Sequence, residues 1–281
     1  MNTLIRLLYY LYRVFNTIRF LGLYNSAKIF IFSKYINSKT MKIFLFGNYF
    51  YFRPKIDIGS YSILTKSQYI IKGTVHQPIE TIIDAGANIG SQAIRLINFN
   101  SELKNIICIE PDGDSSKLCE KNLKNYNAKI YNNAITNTSD EELTILKTIN
   151  SEMSEIVEGS NKIIRSNNYH KIKTISINDI IKKERIDKID FLKLDINGYE
   201  DELFEKNTEW LKITNSIGFN NADINKTTLK IINKYTEHVG KIKIYNIDQM
   251  IFLIKEEFDW LPQKGFMSSK NIGFIEIDQR Y

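Results

Sequence analysis

Cysteine and histidine are scarce in this 281-residue chain, with two and three respectively. Cys108 and Cys119 are too few for a disulfide framework and lack C-x-x-C spacing, so both are expected to be reduced packing residues. His76, His170 and His238 form no H-x-x-x-H or H-x-H pattern, so no metal site is expected. Acidic residues are missing altogether from Met1 to Ile56, a stretch with nine Lys and Arg residues. The formal charge of +6 therefore belongs to the N-terminal segment, and the remainder is net acidic. Internal repeats and low-complexity tracts are also absent. What remains, 43% hydrophobic and 25% charged residues, is the balance of a globular protein able to bury a core.

Within the acid-free segment, Leu4, Leu7, Leu8, Leu11, Val14, Phe15 and Ile18 recur at helical spacing, which predicts an amphipathic helix flanked by Tyr9, Tyr10 and Tyr12. Leu21-Gly22 is expected to end or bend it. Arg6, Arg13 and Arg19 interrupt the apolar run, so the segment reads neither as a signal peptide nor as a membrane span. A basic amphipathic helix of this kind suits an anionic membrane surface through residues 1–35. A helix packed on the rest of the chain, with its arginines in solvent, fits the pattern equally well. Nucleic acid is a third partner for a basic segment.

The densest chemical signal is Thr81-Ile82-Ile83-Asp84-Ala85-Gly86-Ala87-Asn88-Ile89-Gly90-Ser91, a buried strand running into a glycine turn that opens a helix. Such a turn brings backbone close to a ligand and presents the free N–H groups of a helix start. The spacing is D-x-G-x-N-x-G, with Asn88 where a dinucleotide fingerprint has its second glycine. A carboxylate-led loop suits a cationic ligand better than a pyrophosphate, and S-adenosylmethionine is such a ligand. Glu110, 20 positions beyond Gly90, closes the next apolar run Asn105–Ile109 and is placed to accept hydrogen bonds from ribose hydroxyls. A plain βα turn is the alternative for the glycine loop alone.

Along the chain, Met41–Arg53 reads as one or two strands, and Gly73–Pro78 as the approach to the first core strand. Strand and helix then alternate: helix Ser91–Asn98, strand Asn105–Ile109, helix Ser115–Tyr126, strand Ala128–Asn132, and a strand around Leu143–Lys147. Ser151–His170 is polar and aperiodic, a candidate loop over the site or a plain insertion. Order resumes with Lys173–Ile175, helix Ile177–Lys183, strand Ile189–Leu194, strand Ser216–Phe219, helix Thr227–His238 and a hairpin of Lys241–Tyr245 with Gln249–Ile254. Alternation of this kind gives a largely parallel α/β sheet covered on both faces.

The second stretch with chemical content is Asp190-Phe191-Leu192-Lys193-Leu194-Asp195-Ile196-Asn197-Gly198-Tyr199-Glu200. Asp195 ends a buried strand and should face the same crevice as Asp84 and Glu110, with Glu200 pointing back from a glycine turn. The structural alternative is that Asp190 or Asp195 caps a helix or pairs with Lys193.

Together, Asp84–Gly90, Ile109-Glu110-Pro111 with Leu118 and Asn122, and Asp190–Glu200 resemble the FkbM family of S-adenosylmethionine-dependent methyltransferases. Asn133-Ala134-Ile135 and the lead-in Arg53-Pro54 with Asp57 are similar too, and the likeness covers residues 50–255. It implies a Rossmann-like seven-strand class I methyltransferase sheet with an N-terminal helical extension. It also implies O-methylation of a sugar, polysaccharide or lipid-linked glycan hydroxyl. Carried over by position, Asp84, Gly86, Asn88 and Gly90 line the methionine end of the cofactor, Glu110 the ribose, and Asn133 and Ala134 the adenine edge. Two positions depart from the family: Asn197 stands where Glu is common, and Ile217-Gly218-Phe219-Asn220 lacks an acid at the end of its strand.

Methyl transfer to an alcohol needs the hydroxyl proton removed during attack, and Asp195 is the first candidate base with Glu200 the second. Nucleic-acid methylation is disfavoured: no D/N-P-P-Y/F loop follows the fourth core strand, and neither cysteine follows a proline. A non-catalytic cofactor-binding scaffold at a membrane is the alternative from another class. The expected organisation is a basic helical extension over 1–40, a lead-in over 41–75 and the catalytic domain over 76–281. The expected location is cytoplasmic, with peripheral association at the inner face of the membrane.

Overall fold

The computed structural model describes residues 40–45, 47–53, 56–57, 68–146, 155–156, 169–196, 198–220, 225–247 and 250–265, with positions 11, 14, 15, 18, 22–24, 26 and 27. The chain forms two compact units, residues 1–70 with 263–281 and residues 71–262. In the first unit the described residues of 11–27 are helical, and Gly22 among them has a φ of 74°. Strands β1 (Met41–Leu45) and β2 (Asn48–Phe52) pair antiparallel, and the buried pair Arg53 and Asp57 follows them. Among the described residues, no helix is long and apolar enough to cross a membrane. The chain passes between units within β3 (Gln68–Lys72) and β15 (Leu261–Gly265).

The second unit is built on a seven-stranded sheet of β4 (Thr81–Ala85), β5 (Asn105–Ile109), β6 (Ala128–Tyr131), β11 (Phe191–Leu194), β12 (Ser216–Asn220), β13 (Ile242–Ile247) and β14 (Met250–Lys255). Their order is β13-β14-β12-β11-β4-β5-β6. All neighbours are parallel except β12 with β14 and β13 with β14. Helices α1 (Ser91–Phe99), α2 (Gly113–Leu123), α3 (Ile177–Glu184), α4 (Glu200–Leu203) and α5 (Lys226–Val239) make the connections. The strand order runs outward in one direction through β5 and β6, then reverses through β11 and β12. The β4/β11 boundary is the switch point, where open α/β sheets bind ligands.

One face of the sheet carries the main apolar core: Ile83, Ile107, Leu192, Ile217 and Leu253 pack with Trp210, Ile231 and Tyr235. The opposite face carries Asp84, Lys193, Cys108 and Gly218, brought into one row by the register. Cys108 and Cys119 are free buried thiols, and their mutual hydrogen bond, with burial, raises the Cys108 thiol above the ordinary range.

Three parts differ from the sequence expectation. Leu143–Lys147 does not join the main sheet: β8 (Glu142–Leu146) belongs to a separate four-stranded sheet ordered β7-β10-β8-β9. Of its members, β7 (Ala134–Thr136) is a strand where periodicity gave no strong signal, and β10 (Tyr169–Ser176) extends the ordered Lys173–Ile175 back to Tyr169. The expected loop Ser151–His170 contains β9 (Glu155–Ile156) and the start of β10, and its other residues lie outside the described set. Finally, β11 starts at Phe191, because Ile189 makes only an isolated bridge to Thr214.

Candidate active site

The register lines up the carboxyl ends of the parallel strands. Leu194 pairs with Ala85 and Ala85 with Ile109, so Asp195, Gly86 and Glu110 follow one another along the edge of the sheet. Backbone bonds fix that row: Asp195 N donates to Ala85 O at 3.0 Å, and Gly86 N and Ala87 N donate to Ile109 O at 3.0 and 3.1 Å.

Gly86 has φ 74°, and a Cβ there would lie 2.0 Å from the carbonyl oxygen of Asp195. Only glycine lets the two loops meet. Gly90 has φ 82°, and a Cβ there would lie 3.0 Å from Cys119 Sγ, so it lets α1 settle against α2. Asn88, at φ 49°, takes the left-handed conformation that Asn tolerates best after glycine. Gly86 and Asn88 remain half-buried while Gly90 is buried, and Gly90, as the N-cap residue, has no side chain to cap the first turn of α1.

Glu110 is buried, and both of its oxygens are held. Oε2 accepts from Asn88 N at 2.8 Å and Oε1 from Asp112 N at 2.9 Å. Burial nevertheless outweighs these two donors and pushes the carboxyl up to about 7. Asp112 in turn caps α2 by accepting from Ser115 N, and Asn122 Nδ2 donates to Ile89 O, tying the helix to the glycine loop.

Asp84 is completely buried. Its cross-strand partner is Lys193, whose Nζ lies 3.1 Å from Asp84 Oδ1, donates to Gly86 O at 2.9 Å and stands 3.6 Å from Asp195 Oδ2. Burial pulls the lysine toward its neutral form, but Asp84, Asp195 and Glu110 prevail and hold its pKa above the ordinary value. Lys193 is the site residue that sequence reasoning passed over as a pairing partner. Its signal was a lone cation inside the apolar run Phe191–Leu194.

Asp195 is the exposed acid of the group, with 45% of its side chain accessible. Glu200 differs. Its oxygens accept from Ile196 N at 3.3 Å and Gly198 N at 2.8 Å, so its carboxylate closes the loop after β11. Asn197 lies outside the described residues. Asp190 sits at the amino end of β11, where it accepts from Glu80 N, Thr81 N and Asn215 Nδ2, and serves the sheet rather than the crevice. Asn133 Nδ2 is engaged with Lys173 O at 3.1 Å, and Ala134 begins β7 beside Thr174. A buried carboxylate suits the ribose diol of S-adenosylmethionine, an acid-rich edge its sulfonium and ammonium, and the helix start, with its free N–H donors, its carboxylate.

The profile of the methyltransferase FkbM domain matches residues 84–266, more than half of the chain. The chain belongs to the FkbM methyltransferase family. Its residues 84–266 therefore form a methyltransferase domain. Among known structures, it is similar to methyltransferase FkbM from Methylobacillus flagellatus KT, at 17% identity and a TM-score of 0.45 over 62% of this chain and 43% of that one. It is also similar to a methyltransferase from Pyrococcus furiosus, at 14% identity and a TM-score of 0.37 over 82% of this chain and 98% of that one. An O-methyltransferase from Bacillus cereus gives 11% and 0.34 over 63% and 74%. The chain thus spans less than half the length of the Methylobacillus protein. Curated proteins gave no match.

Proposed function

We propose that this FkbM-family chain methylates a hydroxyl of a sugar, polysaccharide or lipid-linked glycan, with Asp195 as the base. The observation that supports this reading is the contrast along one edge of the sheet: Asp195 is open to an incoming group, while Asp84 and Glu110 beside it are buried. When bound, S-adenosylmethionine supplies an electrophilic methyl group on a sulfonium. Glu110 accepts the ribose hydroxyls, the Gly86–Asn88 backbone and the start of α1 receive the methionine end, and the Asn133-Ala134 segment borders the adenine. Asp84 acts at one remove, by holding Lys193, and Lys193 in turn holds the Gly86 carbonyl. Asp195 takes the acceptor proton, with Lys193 Nζ 3.6 Å from its carboxylate. Glu200 shapes the loop that carries Asp195.

The acid-free segment brings residues 1–35 to an anionic membrane at the cytoplasmic face, where lipid-linked glycans are presented. The test is transfer of a labelled methyl group to separated glycan, lipid-linked glycan and RNA fractions. Label in a glycan fraction that disappears with Asp195→Asn is the expected result. Label confined to RNA overturns the acceptor assignment.

A further inference from the structure

We propose that the outward face of the β1–β2 hairpin is a bilayer-contact surface, on which Phe44 and Tyr49 enter the headgroup region of an anionic membrane while Lys42 meets lipid phosphate. The proposal rests on the membrane association inferred above and assigns a contact to it that the N-terminal helix does not supply. The register runs from Met41 opposite Phe52 to Leu45 opposite Asn48, so alternate residues fall on opposite faces. Ile43, Phe50 and Phe52 point inward and are buried. The outward positions are Lys42, Phe44, Tyr49 and Tyr51.

A hairpin with one face in a core ordinarily turns polar residues outward. Here Phe44 and Tyr49 are 42% and 51% exposed, directly opposite each other, with ring centres 5.3 Å apart in an edge-to-face arrangement. Lys42 Nζ lies 4.2 Å from the centre of the Tyr49 ring. Among the described residues, Leu11, Phe15, Leu23 and Tyr24 are exposed in the same unit. An apolar face could meet protein as well as lipid, and charge decides between them. Nine cations and no anion lie within residues 1–56, and the eight other than Arg53, which is buried against Asp57, are complementary to anionic headgroups. Aromatic rings with a lysine beside them suit the interface, because the ring sits at headgroup depth while the lysine stem reaches back to phosphate.

The two contributions separate physically. Attraction by the cationic segment is screened by salt, whereas burial of Phe44 and Tyr49 is not. The experiment uses the full chain carrying Tyr49→Trp, with vesicles of phosphatidylcholine and phosphatidylglycerol. Trp210 and Trp260 are 3% and 0% exposed, so their emission is a constant background. The expected result is a blue shift of the introduced indole on anionic vesicles and its quenching by lipids brominated near the headgroup. Phe44→Ser, on an exposed position, should lower the salt-resistant affinity about tenfold while leaving cofactor binding unchanged. Sedimentation with vesicles while the indole stays in water overturns the hairpin contact and leaves membrane association to the basic segment. No sedimentation at any lipid composition overturns both. Self-association without vesicles, abolished by Phe44→Ser, overturns the proposal in favour of a second copy of the chain.

Discussion

Two carboxylates, Glu110 after β5 and Asp195 after β11, stand on either side of β4 at the same sheet edge and live in opposite environments. Glu110 is 5% exposed, with both oxygens fixed by backbone donors. Asp195 is half-exposed, with 45% of its side chain accessible, and faces the Lys193 ammonium. The first arrangement suits recognition of an invariant group, since a buried acceptor left unpaired is strongly penalised and so discriminates well. The second suits an acid that must meet a variable acceptor and exchange a proton with it. Between them stands Gly86, the contact point of the two loops.

The sharpest way to break this comparison is to remove the proposed base alone. Asp195→Asn should lower kcat by about 10²–10⁴-fold and leave the Kd for S-adenosylmethionine within a small factor. Single-turnover kinetics with calorimetry measure both. Parental kcat in this variant would assign Asp195 to structure.

Next in size is the buried pair beneath both halves. Lys193→Met leaves Asp84 charged and uncompensated in the sheet, which should reduce stability by about 3–5 kcal/mol. The double variant Asp84→Leu with Lys193→Met should recover most of that loss, because a buried ion pair replaced by apolar groups of similar size is often neutral. Urea unfolding of the two single variants and the double gives the coupling. Additive losses would show that the 3.1 Å contact contributes little.

Why this pair escaped the sequence while the acids did not follows from where each signal resides. Asp84, Glu110 and Asp195 each end an apolar run, and Gly86 and Gly90 open a helix, which are local patterns. That Lys193 faces Asp84 is a matter of register between strands distant in sequence, and no local pattern encodes it. The same reason hid the side sheet: β7 has three residues and β10 crosses a polar stretch, so their pairing supplies the order that their own sequences lack. Glu200 was legible as an acid near the crevice, but its closure onto Ile196 N and Gly198 N depends on the turn geometry.

On the recognition side, Glu110→Ala should weaken cofactor binding by about 1.5–3 kcal/mol, the value of hydrogen bonds to a charged acceptor. In the cofactor-free protein its carboxyl stands at about 7, raised from 4.5 by burial. The folded state therefore binds more protons than the unfolded chain between those values, and this group's stabilising contribution, full below 4.5, is lost as pH rises through 7. Cofactor affinity should run the other way, rising with pH toward 7 as the carboxylate becomes ionised and able to accept the ribose hydroxyls. Calorimetry in buffers of different ionisation enthalpy should detect proton release on binding at pH 6. A pH-independent Kd between 6 and 8 would place Glu110 away from the ribose.

The smallest effect belongs to the acid that looks catalytic in sequence. Glu200→Gln keeps one carboxamide oxygen for the loop and loses one of the two backbone acceptors, so stability should fall by about 1 kcal/mol. Because Glu200 closes the loop, and with Asp195 as the proposed base, kcat should stay within about threefold, and the pH dependence of kcat should keep its shape. A general base would behave differently: its replacement removes the acid limb of the profile altogether. Loss of that limb in Glu200→Gln, with the limb retained in Asp195→Asn, would exchange the roles of the two residues and make the open carboxylate at the sheet edge a binding group.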